Sequence, residues 1–351
     1  MPRPLPSLKI SLLLMALASA STPTRATERV ASEDLVDYVA RRLPALPDSG
    51  SSADGGLRFQ VEINRAPAQV RIQQRSNISV AGANSAHYQG WLGDAPAFFI
   101  HNDHQFYMLL PQGERLKRYR FTRHQPGYRY RASARRPGKA LASERITGSK
   151  PRRSLSAMDA ASGAQRLRVY VFLHDDLGVR GYGDVHADYF SWWSADLLQR
   201  LPDKISHIEM NYIRKQPGST DFPYREPGVA GLDEWGGRAW RFAAQQGGFS
   251  FDDDAEKRTK FLLLTASGPD HGRTAIAANG GTVAIASWRD VQTPAHVLGH
   301  TLGATHAEAE IRYRNGWWCE TNMVNPSLDL RQRCRTYSDA NIENIRNYFG
   351  Q

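Results

Sequence analysis

Three histidines near the C-terminus have the spacing of a metal site. His296, His300 and His306 lie in the segment His-Val-Leu-Gly-His-Thr-Leu-Gly-Ala-Thr-His. Residues four apart on a helix share one face, so the first two imidazoles can point at the same atom. Gly303 can take a positive φ and end the helix, so that the chain turns and brings up the third imidazole. Three neutral imidazoles with one open position form a catalytic zinc arrangement, and the spacing therefore predicts a Zn²⁺ site.

A short helix must position these ligands, and its sequence carries start and stop signals. We expect the helix over about residues 294–303, with Thr293 as its N-cap, because Thr is a favoured N-cap and proline suits the first helical position. Leu298 and Leu302 fall on the face opposite the histidines. We expect both to pack into a core and so to fix the direction of the imidazoles.

The second half of the chain alternates strand patterns with helix patterns. Strands are predicted at residues 166–173, 205–213 and 260–265 with a strand pair or edge strand in 274–288, and helices at 189–201, 235–246 and 339–348. This alternation predicts an α/β fold, in which helices pack on a mixed sheet.

The N-terminus has the features of an export signal. Arg3 and Lys9 precede or flank an apolar segment over residues 10–18 that is too short to span a bilayer. Ala18-Ser19-Ala20 is a small-residue cleavage site. We therefore expect residues 1–20 to be a signal peptide and the protein to be secreted or periplasmic, with no membrane span.

Between this signal and the α/β half, the pattern changes twice. A helix is predicted near residues 33–42, and residues 57–121 alternate between apolar and polar, which is typical of a small antiparallel β unit. Proline and glycine residues, which end helices and strands, then interrupt a stretch rich in Arg and Lys. The predicted organisation is a signal peptide (1–20), a β-rich N-terminal pro or accessory region (21–112), a basic linker (113–163) and a C-terminal domain (164–351).

The positive charge belongs to the first half alone. Residues 164–351 contain 21 Lys and Arg against 23 Asp and Glu, whereas residues 1–163 contain 24 against 12. The basic stretch interleaves aromatic residues, among them Tyr119 and Phe121, which is compatible with binding nucleic acid or another polyanion. A solvated linker or pro-segment is the favoured interpretation in an exported protein, so no nucleic-acid partner is expected.

The chain has two cysteines, Cys319 and Cys334. An even number of cysteines in one short stretch of an exported chain predicts one disulfide, and two free thiols fit export poorly. Closing a loop of about 15 residues stabilises the fold by roughly 3 kcal/mol in the chain-entropy description.

The histidine segment resembles the long zinc motif of the metzincin metallopeptidases, His-Glu-x-x-His-x-x-Gly-x-x-His. The resemblance implies a zincin domain over about residues 164–351 that hydrolyses protein or peptide substrates with zinc-activated water. It also implies a Met-turn beneath the metal, for which Met323 is the candidate. The cysteine-bearing stretch before Met323 is most similar to the reprolysin/adamalysin-like branch, whose edge strand binds substrate antiparallel, and residues 275–288 suit that strand.

One position departs from the family pattern. Val297 stands where the family has the glutamate that acts as general base, and an aliphatic side chain cannot transfer a proton. We expect Val297 to project toward the cleft and the zinc ligands to be unaffected, while the loss of positioned acid–base help costs roughly 10²–10⁴-fold in rate. Glu308 and Glu310 lie nearby in sequence, but the sequence gives no geometric reason to assign either as a base.

Three functional classes stay open from the sequence. The first is a secreted zinc metalloendopeptidase-family protein that binds zinc and whose catalysis is impaired at Val297. The alternative is a pseudo-peptidase that binds protein partners without cleaving them. A third class, a basic polyanion-binding protein with an incidental histidine cluster, predicts salt-sensitive binding and no zinc.

Overall fold

The computed structural model describes residues 27–46, 56–81, 85–102, 104–112, 115–123, 166–178, 182–225, 229–245, 257–270, 272–314, 317–325 and 331–350. We call the described part of residues 27–123 the N-terminal unit and that of residues 166–350 the C-terminal domain. The predicted signal peptide, residues 1–20, and residues 124–163 of the predicted linker lie outside the described residues. Among the described helices, none is both long and apolar enough to cross a membrane.

The N-terminal unit is a β-sheet covered by one helix, α1 (Leu35–Arg42). Its strands alternate buried apolar with exposed polar residues, so that one face of the sheet packs against the buried side of α1. Seven strands follow the order β1-β2-β3-β5-β6-β7-β8 in this sheet. The strands of this half are β1 (Glu28–Val30), β2 (Leu57–Ile63), β3 (Ala66–Ser76), β4 (Ile78–Val80), β5 (Ser85–Leu92), β6 (Ala95–Asn102), β7 (Gln105–Gln112) and β8 (Arg115–Thr122).

The start of the predicted linker is wrong. Residues 115–122, assigned to the basic linker 113–163, form strand β8, which pairs antiparallel with β7 along its whole length. Phe121 is 1% exposed and Tyr119 packs against the same core, so these aromatic rings stabilise the sheet. The alternating pattern of residues 57–121 extends into this strand, and the many Arg and Lys residues led to its assignment to the linker.

The C-terminal domain is built on a six-stranded sheet in the order β12-β13-β11-β9-β10-β4. The central strands are parallel, and β12 lies antiparallel to β13 at one edge. Strand β11 is buried at every position, as expected for a parallel strand covered on both faces. The strands of this domain are β9 (Arg166–Leu173), β10 (His207–Ile213), β11 (Thr259–Thr265), β12 (Ala275–Ala277), β13 (Val283–Ser287), β14 (Ile311–Arg314), β15 (Trp317–Glu320) and β16 (Gln332–Arg333).

The other edge of this sheet is closed by the N-terminal unit. Strand β4 leaves the N-terminal sheet and pairs parallel with β10, with Ile78 opposite Ile208 and Val80 opposite Met210. All four side chains are buried. Val80, Ile208 and Met210 belong to the main apolar cluster of the C-terminal domain. The boundary predicted between the two halves is therefore crossed by a strand, which residue patterns within either half did not reveal.

Helices cover both faces of the sheet. Two helices begin six or more residues before the predicted start: the helix expected from residue 189 begins at residue 182 and passes through a π-helical turn, and the one expected from residue 235 begins at residue 229. The helices are α2 (Tyr182–Val185), the π-helical turn His186–Phe190, α3 (Ser191–Arg200), α4 (Val229–Gln245), α5 (Thr293–Thr301) and α6 (Asp339–Tyr348), with 3₁₀ turns at Leu43–Ala45, Asp175–Leu177 and His306–Glu308.

Candidate metal centre

Helix α5 carries two of the three histidines, and it begins one residue earlier than the prediction required. Its N-cap is Gln292, whose side chain makes no capping bond, and Thr293 is the first helical residue, so the prediction that Thr293 is the N-cap is wrong. The Gln292 amide instead donates to the side chain of Asn322 in the buried loop below the helix. That tertiary bond replaces the local cap that the sequence favoured.

The C-terminal end of α5 follows the prediction. Gly303 has φ +86°, in the left-handed region where glycine is free of strain. After it, Asn341 of α6 holds the turn by accepting from the Thr305 amide at 2.7 Å and donating to the Thr305 carbonyl at 3.1 Å. The chain is thus reversed over the helix end, and His306 follows directly.

The three imidazoles converge. The Nε2 atom of His306 lies 3.0 Å from Nε2 of His296 and 3.0 Å from Nε2 of His300. One nitrogen from each ring lies within 4.8 Å of the others. A tetrahedral zinc ion with Zn–N bonds of about 2.0–2.1 Å needs N···N separations of about 3.3 Å, so small ring shifts suffice to accommodate one. Among the described residues, this is the grouping of three or more His, Cys, Asp or Glu that could hold a metal.

In two of the three rings, the nitrogen that points away from the cluster donates a hydrogen bond to a backbone carbonyl group. Nδ1–H of His296 donates to the Asn322 carbonyl at 2.7 Å, and Nδ1–H of His300 donates to the Ala304 carbonyl at 3.0 Å. These bonds fix the tautomer that leaves the Nε2 lone pairs for a ligand, which is the usual arrangement of a histidine bound to a metal. The donor set therefore fits a zinc ion.

Electrostatics also favour neutral rings. Burial, followed by the neighbouring His300, lowers the pKa of His296 to about 4. Burial, followed by His306, also lowers the pKa of His300 below its ordinary value. A metal requires deprotonated Nε2 atoms, so both shifts keep these two ligands available at neutral pH.

Met323 lies in a tight turn beneath the helix. The Val324 amide donates to the Thr321 carbonyl at 3.1 Å, and the Met323 side chain between them is fully buried. A Cβ placed on Gly299 of α5 would lie 2.7 Å from the sulfur of Met323, so the thioether is packed against the helix backbone. The same turn supplies the Asn322 carbonyl that holds His296, which joins the Met-containing turn to the histidine cluster.

Tyr337 is a supporting residue that the sequence analysis missed. Its hydroxyl donates to the Ala295 carbonyl in α5 at 2.6 Å and accepts from Nε1–H of Trp193 at 2.9 Å. Burial raises the pKa of Tyr337 above its ordinary value, so the phenol stays protonated. No local pattern marks this tyrosine, because its partners lie 42 and 144 residues away in sequence.

Val297 is buried with 1% of its surface exposed and belongs to the main apolar cluster of the C-terminal domain. The expectation that Val297 projects toward the cleft stays a prediction, because its exposure gives its depth in the domain and not the direction of its side chain relative to the zinc ligands. Of the two nearby carboxylates, Glu310 is paired with Arg312 at 2.7 Å. Glu308 is exposed on the 3₁₀ turn that begins at His306.

A disulfide and a buried ion network fix the segment around the Met-containing turn. Cys319 and Cys334 are bonded, with their Cα atoms 5.1 Å apart, which confirms that prediction. Glu320 is 1% exposed and accepts from Arg333 at 2.6 Å, while Arg333 also reaches Asp290 just before α5 at 3.2 Å. These covalent and ionic links tie β15 and β16 to the start of the histidine helix.

No protein-family model matches the chain. No curated protein matches it by sequence either. Its structure is similar to metalloproteinase-II from Bacteroides fragilis, with a TM-score of 0.54 and 13% sequence identity over 92% of this chain and 98% of that chain. At this identity the likeness shows a shared, metalloproteinase-like α/β fold, and it extends over both halves of the chain.

Proposed function

We propose that this chain is an exported zinc metallopeptidase-type protein of the metzincin class, with zinc held by His296, His300 and His306 and with peptide-bond hydrolysis impaired at Val297. The observation that carries the proposal is the convergence of the three Nε2 atoms. The rings of His296 and His300 are also oriented by hydrogen bonds from Nδ1–H to backbone carbonyl groups. The disulfide is compatible with an extracellular or periplasmic protein, and the predicted signal at residues 1–20 supports export.

The chemistry divides between the metal and the protein. A bound zinc ion supplies a Lewis acid that polarises a carbonyl and lowers the pKa of water. The protein's own residues orient the ligands through Asn322 and Ala304 and support the site from below with Met323. Residue 297, which in the resembling family accepts and returns a proton, is aliphatic here. The chain therefore has the binding part of the machinery without the proton-transfer part.

A protein or peptide in extended conformation is the proposed substrate class. Strand β12 forms the edge of the six-stranded sheet and is antiparallel to β13. An extended peptide can add to such an edge through main-chain hydrogen bonds. This mode is the one implied by the resemblance to the reprolysin/adamalysin-like branch, and that branch assignment is part of the proposal.

The burial of Val297 favours a second candidate, a pseudo-peptidase that binds a protein partner without cleaving it. A valine enclosed in the core stabilises the fold, as an ordinary apolar residue of α5 does. A glutamate at this depth needs a partner such as a metal-bound group to offset its desolvation. The two candidates share the metal site and differ in turnover.

The metal site is tested by zinc content. The purified full chain should hold about one zinc per molecule, and His300→Ala should lose tight binding because one of three ligands is removed. His104→Ala is the matched control, since His104 is an exposed histidine in the N-terminal unit. Zinc content is measured by elemental analysis after dialysis against a weak chelator. Equal zinc content in the parent chain, His300→Ala and His104→Ala would contradict the proposed site.

Residue 297 is tested by turnover. Val297→Glu should raise kcat on casein by at least roughly 10²-fold with zinc content unchanged, because it restores a group that can transfer a proton. The glutamine in Val297→Gln is nearly the same size as a glutamate and cannot act as a base, so this variant should leave the low rate unchanged. Circular dichroism and thermal unfolding verify that both variants fold. A parent chain that digests casein as fast as Val297→Glu would contradict the impaired-catalysis proposal.

A further inference from the structure

The N-terminal unit and the C-terminal domain share an extended contact. Besides the pairing of β4 with β10, the hydroxyl of Ser79 lies 2.8 Å from Nε2 of His207. The guanidinium of Arg118, on β8, donates to Asp184 at 2.9 Å and to Asp188 at 3.2 Å. Strand pairing and ion pairs therefore link the two units by noncovalent contacts.

An apolar cluster lies in the same contact. Ile100, Tyr107 and Leu109 of the N-terminal sheet are buried against Ala187 of the π-helical turn. Each of these four residues is at most 5% exposed. The contact is thus a dry one, in which an ionised side chain without a partner is costly.

Two histidines face each other inside this dry contact. His87 of β5 is 3% exposed and His186 of the π-helical turn is 1% exposed. Their ring centroids are 4.7 Å apart, with the rings nearly perpendicular at 82°. A π-helical turn is rare and is frequently found at functional sites. Here it places a titratable ring of the C-terminal domain against one of the N-terminal unit.

The surroundings of the pair suit neutral rings only. Nδ1 of His186 lies 2.8 Å from the hydroxyl of Tyr212 on β10, and its buried Nε2 has no hydrogen-bond partner among the described residues. Nε2 of His87 lies 3.3 Å from the hydroxyl of Ser85. On the neighbouring strands, β3 contributes the cation Arg75, and β6 places the apolar Ile100 opposite His87.

The acidic groups nearest in sequence to His186 form ion pairs with another residue. Asp184 and Asp188, on the same helical segment, are the two carboxylates that Arg118 binds. Among the described residues, neither His87 nor His186 forms an ion pair with a carboxylate. A proton added to either ring would therefore create a buried charge with no counter-ion at hand.

We propose that this contact is an acid-labile joint: the N-terminal unit stays bound to the C-terminal domain at neutral pH even after the chain between them is cut, and protonation of His87 and His186 releases it. The proposal concerns the association of the two units and is independent of whether the metal site performs catalysis.

The direction of the pH dependence follows from the shifts of the two rings. Burial, followed by Arg75, lowers the pKa of His87 to about 3, and burial, followed by His87, lowers the pKa of His186 well below its ordinary value. The separated units bind protons more tightly than the joined ones. The joint is therefore at full strength above about pH 6.5 and weakens as the pH falls. From pH 7.5 to pH 5 each histidine weakens it by about 30-fold, and both together by about 10³-fold.

The test uses the full chain with a specific protease site inserted after Pro137, in the basic segment between the two units. After complete cleavage, size-exclusion chromatography should show one complex at pH 7.5 and two separate fragments at pH 5. His87→Phe and His186→Phe, alone and together, keep an aromatic ring that cannot be protonated. Each should shift the midpoint of separation to lower pH, and the double variant the most. His104→Phe, at an exposed position of the N-terminal unit, should leave the midpoint unchanged.

A second measurement covers variants that fail to fold. Deuterium exchange at the histidine C2 positions of the uncut parent chain, followed by mass spectrometry, reports the pKa of each ring. His87 and His186 should show no titration near 6.5 while the chain stays joined. The proposal is overturned if the cut fragments separate at pH 7.5, if they stay together equally at both pH values, or if these two rings titrate near 6.5. It is also overturned if the folded double variant separates at the same pH as the parent.

Discussion

Gly299, in the middle of the histidine helix, offers the sharpest test of how the site is supported. A Cβ at this position would lie 2.7 Å from the sulfur of Met323 and 2.7 Å from a ring carbon of Tyr337. Carbon atoms in contact prefer separations of about 3.5–4.0 Å, so the neighbours would have to move by close to 1 Å. Met323 can change rotamer, but Tyr337 is fixed by its bonds to Ala295 and Trp193. We therefore expect Gly299→Ala to displace the Met-containing turn.

The magnitude follows from two opposed effects. Replacing glycine by alanine inside a helix stabilises by about 1 kcal/mol. Overpacking of a core costs typically 1–3 kcal/mol, and the fixed tyrosine places this site at the upper end. The net expectation for Gly299→Ala is a loss of about 2 kcal/mol in the free energy of unfolding. Zinc affinity should fall about 10–100-fold, because the displaced turn carries the Asn322 carbonyl that orients His296.

Gly237→Ala is the matched control. Gly237 lies inside helix α4, and a Cβ there would meet nothing within 4 Å. This variant should gain up to about 1 kcal/mol and keep its zinc affinity. The assay is urea unfolding followed by fluorescence, together with a competitive zinc titration. If Gly299→Ala proves as stable as Gly237→Ala and binds zinc equally well, the argument that Met323 and Tyr337 support the helix by close packing is refuted.

Three further predictions concern the rest of the chain. Reduction of Cys319–Cys334 should lower the free energy of unfolding by roughly 3 kcal/mol, and mapping of unreduced peptides should find this cross-link; two alkylatable thiols in the exported protein would contradict it. Limited proteolysis should cut first within about residues 135–165 and leave a stable C-terminal fragment, whereas first cuts within residues 170–340 would refute that boundary. Burial raises the pKa of Asp196 to about 6, so its contribution to stability is present at low pH and is lost as the pH rises through 6. Asp196→Asn should therefore gain stability relative to the parent between pH 5 and pH 8 in urea unfolding, and a constant difference would count against the shift.

The sequence determined those features that depend on neighbours close along the chain. The apolar run that predicted a strand at residues 166–173 and the helical pattern at residues 339–348 match β9 and α6 residue for residue. The spacing of the three histidines and the glycine stop after α5 fixed which imidazoles could meet, since helix geometry alone places residues four apart on one face. The two cysteines allowed a single pairing, which the structure contains.

Only the tertiary structure decided features whose partners are distant in sequence. Gln292 replaced Thr293 as the N-cap because Asn322, 30 residues away, binds its side chain. Val297 is enclosed because α5 packs onto the main core, and a one-dimensional pattern does not give the depth of a residue. Strand β4 pairs with β10 of the second sheet and His87 contacts His186, and both contacts join the two halves of the chain. A strand edge or an apolar surface can be covered by any segment that lies next to it in three dimensions. Strand pairing and burial are therefore properties of the folded chain and not of any local stretch.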